Sequence, residues 1–393
     1  MIKRVTYIPY HDWRKIESEG NRTRDAHFID SFRKNKQIEK LLIINRPITH
    51  SELFIKKKKI RSRLKEELIF KSGKGRLYKI DSQMYLVDYI SNQNIDQIRK
   101  GRGWFFKAYG NSEFINFYKE CLDFLKIKDI PVITANVFSY QFMKAIESKK
   151  LFDAWDNFYL MPGLKGIKEQ LFTAYHNMAK EVPCWVTNSE ENKIFYEQHY
   201  NAYVSDIVKN GVDVGVFSKT KTNIPKDLLK IKDLGNVVAG FGGKITHLFD
   251  VDIFNFIASD NPNINFVIIG QILDKEVYSN IEQRKNVFYL GDKHYSEYVN
   301  YISNIDFGII PYRIKQNQHG GDSIKAYEYL AASLKVVGTR GNGLQNLEEY
   351  ISIADTKEMF SEYLKKPLVK KEFLVNDFLW SNKAQLFLNK LTQ

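Results

Sequence analysis

The sequence predicts an α/β protein of two domains, each a parallel sheet with helices on both faces. Three observations lead there. Short apolar runs alternate with stretches of helical period along most of the chain. Runs such as Leu41-Leu42-Ile43-Ile44 are continuously apolar, as strands buried on both faces are. At 393 residues the chain can build two or three cores.

Residues 5–9 read as the first strand, and the polar loop behind it enters a helix with Thr23 as its cap and Ile29 and Phe32 on its apolar face. A loop after the first strand lies at the carboxyl end of the sheet, where ligands bind, so Arg22, Arg24 and Asp25 are site candidates. Residues 38–45 give the second strand, with 41–44 as its buried centre. The run Lys56-Lys57-Lys58-Lys59-Ile60-Arg61 lacks the interleaved aromatics of a nucleic-acid groove. Lys57, Lys58 and Lys59 suit anionic lipid headgroups, with a solvated charge run as the ordinary alternative. Ser72-Gly73-Lys74-Gly75-Arg76 lacks the Walker spacing. A helix is expected over 113–125 and a strand over 131–137. Residues 151–158 form a short strand ending in acids and aromatics, where Asp153 or Asp156 can serve as a general base. A strand over 183–189, a helix over 190–200 and a strand with an Asn-Gly turn over 207–213 follow.

Residues 219–235 are polar, broken by Pro225, and read as a linker. The domains are therefore expected at 1–218 and 236–372, with a last helix over 373–393 anchored by Phe378, Trp380 and Leu386. That helix has no following strand to pack on, so it is expected to lie across the first domain. The second domain opens with a strand feeding Gly240-Phe241-Gly242-Gly243-Lys244. This loop does not match G-x-G-x-x-G, which argues against a nicotinamide cofactor. Helices over 249–258 and 295–302 alternate with strands over 266–270, 287–291, 307–312 and 335–339.

The densest chemistry lies in His319-Gly320-Gly321-Asp322-Ser323-Ile324-Lys325-Ala326-Tyr327-Glu328. Gly320 and Gly321 end a loop, and Asp322 or Ser323 caps a helix. The free N–H groups of that helix start attract an anion, and bare glycines let a phosphate approach. Lys325 adds a full charge, and Glu328, one turn on, can accept from a ribose diol. A capped helix with an i,i+3 ion pair is the plain alternative.

Composition narrows the partners. Residues 1–100 carry 24 Lys and Arg against 12 Asp and Glu, while the whole chain has a net charge of +13. The surplus of 12 at one end calls for an anionic partner there. The two cysteines, Cys121 and Cys184, form no metal or redox spacing and suit a reducing compartment. The eight histidines show no ligand spacing. No apolar run approaches the ~18 residues of a membrane span. The expected location is the cytoplasm, peripheral to the inner face of the membrane.

Taken in order, several stretches resemble GT-B-type glycosyltransferases, in particular bacterial enzymes of cell-surface polysaccharide synthesis. They are Val186-Thr187-Asn188-Ser189, Lys209-Asn210-Gly211-Val212-Asp213 with Phe217, Gly240-Phe241-Gly242-Gly243-Lys244, Phe266-Val267-Ile268-Ile269-Gly270, Asp306-Phe307-Gly308-Ile309-Ile310-Pro311-Tyr312, and Ser323-Ile324-Lys325-Ala326-Tyr327-Glu328-Tyr329-Leu330-Ala331 with Val336-Val337. One departure stands out: many relatives carry a second Glu about eight residues before the position of Glu328, where this chain reads His319-Gly320-Gly321.

The resemblance implies two Rossmann-like domains facing across a cleft. The second binds a nucleotide-diphosphate sugar and the first a lipid-linked or polymeric glycan acceptor. It places Glu328 on the ribose and Lys325, Ser323, Gly320, Gly321, Gly243 and Lys244 near the diphosphate. Leu290 and Gly291 fall near the base, with Tyr312 also on the donor side. No metal, other cofactor or nucleic acid is implied. If transfer inverts the anomeric carbon, a base must take the acceptor proton: Asp156 first, then Asp25, Asp153 or His27. A sugar-nucleotide epimerase of the same fold, or a nucleic-acid-binding protein using the basic end, are the alternatives.

Overall fold

The computed structural model describes residues 2–56, 64–213, 215–217, 223–314 and 321–392. The chain divides into two compact units: Met1–Lys209 with Trp380–Gln393, and Asn210–Leu379.

The strands of the first unit are β1 (Arg4–Ile8), β2 (Lys40–Ile44), β3 (Ile48–Thr49), β4 (Glu67–Ser72), β5 (Gly75–Lys79), β6 (Met84–Ser91), β7 (Val132–Thr134), β8 (Lys150–Asp153), β9 (Cys184–Thr187) and β10 (Val204–Ile207). They form one sheet in the order β10-β9-β8-β7-β1-β2-β6-β5-β4, with β3 beside β6. Pairing is parallel except along the β4–β5–β6 edge. Val5, Tyr7, Ile8 and all of Leu41-Leu42-Ile43-Ile44 are buried, as continuous apolar strands require. The 72–76 stretch turns the β4–β5 hairpin, with Gly73 at φ +52°, a left-handed turn that glycine adopts without strain. From β1 the chain steps outward through β2 to β6, then returns to β7 on the other side of β1. The loops after β1 and β7 therefore part at a topological switch point.

The second unit contains β11 (Val237–Gly242), β12 (Ile264–Ile269), β13 (Val287–Gly291), β14 (Phe307–Ile310), β15 (Lys335–Thr339) and β16 (Ser352–Ala354). Their order is β13-β12-β11-β14-β15-β16, parallel throughout. This is the doubly wound arrangement, with its switch point between β11 and β14. One face is covered by a core that includes Tyr301, Ile302, Tyr327 and Leu330, the other by one that includes Phe254, Ile257 and Phe360.

The unit boundaries differ from those expected. The division falls at Lys209, ahead of the polar stretch, because Val212 N–H bonds Phe378 O at 2.9 Å and Asn210 is tied to Asp322. Within the expected linker, helix Lys226–Lys232 buries Leu228 and Ile231 in the second core. At the other end the long helix starts at Trp380, not Phe373. Phe373 and Phe378 stack at 4.5 Å beside Tyr350, which keeps that stretch in the second unit. Helix Trp380–Lys390 then packs on helix Arg24–Lys34 of the first unit. Trp380 stacks on His27 at 4.8 Å and Phe387 on Phe28 at 4.3 Å.

Candidate functional site

In the second unit the switch point gathers most of the predicted donor residues. The loops at the carboxyl ends of β11, β12 and β13 are stitched through glycines. Gly243 N–H bonds Ile269 O (2.8 Å), Gly270 N–H bonds Gly291 O (2.9 Å), and Tyr289 OH bonds Gly270 O (2.8 Å). The contacts are so close that a Cβ on Gly270 would stand 1.9 Å from Gly243 O. Leu290 and Gly291 close this shelf at its β13 end, and Lys244 follows it directly.

From the other side of the switch point, helix Ile324–Ala331 brings Lys325 over the shelf. Its Nζ bonds Tyr312 OH and lies 4.6 Å from the Tyr312 ring and 5.4 Å from that of Phe241. A Cβ on Gly243 would meet Lys325 Cε at 2.8 Å, so the missing side chain makes the room the lysine occupies. Ser323 is the N-cap with extended backbone, yet its hydroxyl caps nothing. Its Oγ is buried with no hydrogen-bond partner among the described residues. A buried hydroxyl without a partner is costly, and an anion at this helix start would satisfy it.

Asp322 has a different task from the capping role considered for it. It takes Asn210 N–H and the Tyr327 hydroxyl (2.9 Å), which fixes the approach of the loop to the helix. Gly321 belongs to this turn, next to Asn342 and Gly343. Gly320 lies outside the described residues. Glu328 is only 5% exposed, and Tyr295 OH donates to its Oε1 at 2.9 Å. Burial, then the Glu328 charge, raise the Tyr295 phenol well above its usual value, so the tyrosine keeps its proton and remains a donor. The open carboxylate expected for a ribose is thus a buried one, on the side of helix Tyr295–Ile302.

The switch point of the first unit presents a second constellation. Tyr10 and His11 follow β1, Asn136 follows β7, and Trp155 to Phe158 follow β8. Asn136 Nδ2 bonds Pro9 O (3.3 Å), Trp155 Nε1 bonds Ala135 O (3.3 Å), and Tyr10 stacks on Phe158 at 4.7 Å. Beside them Asp25 is fully buried and accepts His11 N–H (2.8 Å), His11 Nδ1 (2.9 Å), Thr23 Oγ1 (2.5 Å) and Ala26 N–H (3.1 Å). Burial pushes the Asp25 carboxyl up, but the neighbouring His11 and these bonds outweigh it and hold the group well below the usual carboxylate range. With Nδ1–H given to Asp25, the neutral form of His11 would carry its lone pair on Nε2, which makes no hydrogen bond among the described residues. The His11 side chain is 12% exposed. A histidine oriented by a buried carboxylate can take a proton from a hydroxyl.

Several predicted first-unit residues stand elsewhere. Asp25 is placed to orient His11, since its oxygens are already taken and its basicity is low. Asp153 is fully buried in a two-bond pair with Arg24 (both 2.9 Å), which removes it as a base and Arg24 as a surface contact. His27 is buried under Trp380, away from solvent, because its helix carries the C-terminal one. Arg22 pairs with Glu19 at 2.8 Å. Asp156 is half-buried, and its carbonyl accepts the Tyr175 hydroxyl (3.1 Å). Lys57, Lys58 and Lys59 lie outside the described residues. His11 was missed because its partner is fourteen residues on, a spacing no local pattern marks. Among the described residues no three His, Cys, Asp or Glu side chains gather as metal ligands would.

No protein-family model matches the chain. A curated relative, the putative teichuronic acid biosynthesis glycosyltransferase TuaH of Bacillus subtilis, is 29% identical over 134 residues, 34% of this chain and 33% of that protein. The chain thus matches about a third of the length of that relative. Among solved structures, the OtsA apo structure superposes with a TM-score of 0.70 at 11% identity, covering 99% of both chains. The E. coli structure titled trehalose-6-phosphate, bound with UDP-2-fluoro glucose, gives 0.67 at 10% identity over 99% of both. Anabaena Alr3699/HepE in complex with UDP and glucose gives 0.59 at 11% identity, covering 99% of this chain and 95% of that one. These likenesses show the fold: it is GT-B, two Rossmann-like units, as the resemblance in sequence implied.

Proposed function

We propose that the protein is a glycosyltransferase that moves a hexosyl group from a nucleoside-diphosphate sugar to a lipid-linked or polymeric glycan in surface polysaccharide synthesis. The reading is supported by the name of the TuaH relative and by the UDP and UDP-sugar bound in fold neighbours. The observation that carries it is the Lys325 ammonium beside Gly243 and Tyr312, at the same helix start as the Ser323 hydroxyl, which has no partner among the described residues.

In this reading the diphosphate lies on the glycine shelf, against the N–H groups of helix Ile324–Ala331. Transfer breaks the bond between the anomeric carbon and the phosphate oxygen, and negative charge grows on the leaving group. Lys325 and the helix start hold that charge in place, so they bind the transition state more strongly than the ground state. They do so without a metal. Lys244 adds a second cation after the shelf. Leu290 and Gly291 meet the base, and Glu328 receives the ribose, since a carboxylate oxygen bonded to Tyr295 retains acceptor capacity. On the acceptor side, the hydroxyl proton passes to His11 Nε2 with Asp25 holding the ring. The anomeric configuration is then inverted.

The test is transfer from a panel of nucleotide-sugars with and without a glycan-lipid acceptor. Nucleotide released only when acceptor is present supports transfer. Interconversion of free nucleotide-sugar without acceptor would make the protein an epimerase instead.

A further inference from the structure

Helices His50–Ile55 and Asn94–Lys100 are fastened to each other in the first unit. Ser51 N–H donates to Asn94 Oδ1 (2.9 Å), and the Gln97 amide bonds both Thr49 and Glu52. Leu53 turns inward onto Ile48 and Ile90, a small core that seats the pair. The outward sides are apolar where a soluble surface is usually polar. Phe54 is 68% exposed, Ile55 72%, Ile95 74% and Ile98 68%. Single exposed aliphatics are ordinary, but four large ones on two joined helices are a patch.

The patch is edged with cations. Arg99, Lys100 and Arg102 are exposed, and none of them forms an ion pair among the described residues. Ile95 and Ile98 lie one turn apart on the helix, Arg99 and Lys100 end it, and Arg102 follows its Gly101 cap, so the cations come directly after the apolar pair in the chain. This combination decides the occupant. A second copy docked here by a two-fold axis would bring both sets of three cations into one interface. A bilayer with anionic headgroups satisfies both halves at once: aliphatic side chains enter the boundary of headgroup and acyl chain, and arginine and lysine meet lipid phosphates.

We propose that this two-helix face is the surface by which the protein docks on an anionic lipid bilayer, with Ile55, Ile95 and Ile98 inserted and Arg99, Lys100 and Arg102 on the phosphates. It deepens the proposed function by naming what brings the enzyme to a lipid-linked acceptor. It rests on that reading for its purpose, but lipid binding is measured without turnover.

The experiment is co-sedimentation of the full chain with phosphatidylcholine vesicles, with and without phosphatidylglycerol. Two variants accompany the parent, I95S/I98S and R99Q/K100Q/R102Q. A uridine diphosphate thermal shift on each reports separately on the second unit. The parent is expected on phosphatidylglycerol vesicles and not on neutral ones, with binding that falls as salt rises. The apolar variant loses at least about tenfold in partitioning, and the charge variant about fivefold for each cation removed. Equal binding to neutral vesicles overturns the proposal. So do variants that bind like the parent, or a parent dimer that only the patch variants dissolve. A parent that binds anionic vesicles but shows no nucleotide shift keeps the lipid surface and removes the glycosyl-transfer reading.

Discussion

The Lys325 ammonium and the Tyr312 ring lie 4.6 Å apart, with the Tyr312 hydroxyl bonded to the same nitrogen. Both residues follow β14, and Phe241 of β11, across the switch point, lies 5.4 Å from the same nitrogen. Replacing Lys325 with alanine removes the charged partner proposed for the diphosphate. Nucleotide affinity is expected to fall about 10- to 100-fold, the ~1.5–3 kcal/mol of a charge-assisted hydrogen bond. Lys325→Arg does not restore it, since a planar fork does not fit a space shaped by Gly243. Isothermal titration with uridine diphosphate measures both.

Gly243 and Gly270 separate function from folding. A Cβ on Gly243 meets the flexible end of Lys325, 2.8 Å from Cε. Gly243→Ala is therefore expected to displace the ammonium and lower turnover, and its own φ of +159° adds a backbone cost of about 1 kcal/mol. A Cβ on Gly270 meets backbone, 1.9 Å from Gly243 O, at φ +151°. Gly270→Ala should cost about 2–4 kcal/mol, because neither chain segment can give way. Urea denaturation of the two variants tests the contrast.

His11→Gln and Asp25→Asn are expected to lower kcat by about 10²- to 10⁴-fold, the usual contribution of a positioned base. Nucleotide affinity stays unchanged in both, because the second unit is untouched. Asp156→Asn should then be mild by comparison. Parallel measurement of kcat and of nucleotide binding checks the split, and the configuration of the product glycoside reports inversion.

Asp25 also sets an acid limit. Its carboxyl is held below its unfolded value, so its contribution is complete above an unfolded pKa of about 3.9 and is lost as pH falls through the lower folded one. Asp25→Asn should flatten the decline in stability below about pH 4 while leaving the neutral range nearly level. Unfolding midpoints measured across acid pH test this.

What the sequence discloses follows from locality. The strand β2 carries four apolar residues in a row, and the second unit alternates strand and helix so regularly that its fold is readable. Lys325, Ser323 and Gly243 share a site because the switch point lies between β11 and β14, a property of strand order that ordered motifs carry. The first unit hides more. Arg24 and Asp153 look like surface groups and are a buried pair, 129 residues apart in sequence. His27 has an ordinary helical position, and only the arrival of Trp380 buries it. The early boundary at Lys209 rests on Asn210 reaching Asp322, again a long-range bond. The β4–β5 edge went unpredicted because it is partly exposed and its apolar run, Leu68-Ile69-Phe70, is short.

The central claim is that a diphosphate binds at the start of helix Ile324–Ala331, beside Lys325. The most direct measurement is the thermal shift of the parent and Lys325→Ala with uridine diphosphate. At 100 times its Kd a ligand adds about 2.7 kcal/mol, which raises the midpoint visibly. A clear shift in the parent that is lost or greatly weakened in Lys325→Ala is the predicted result. Equal shifts in both proteins would contradict the account.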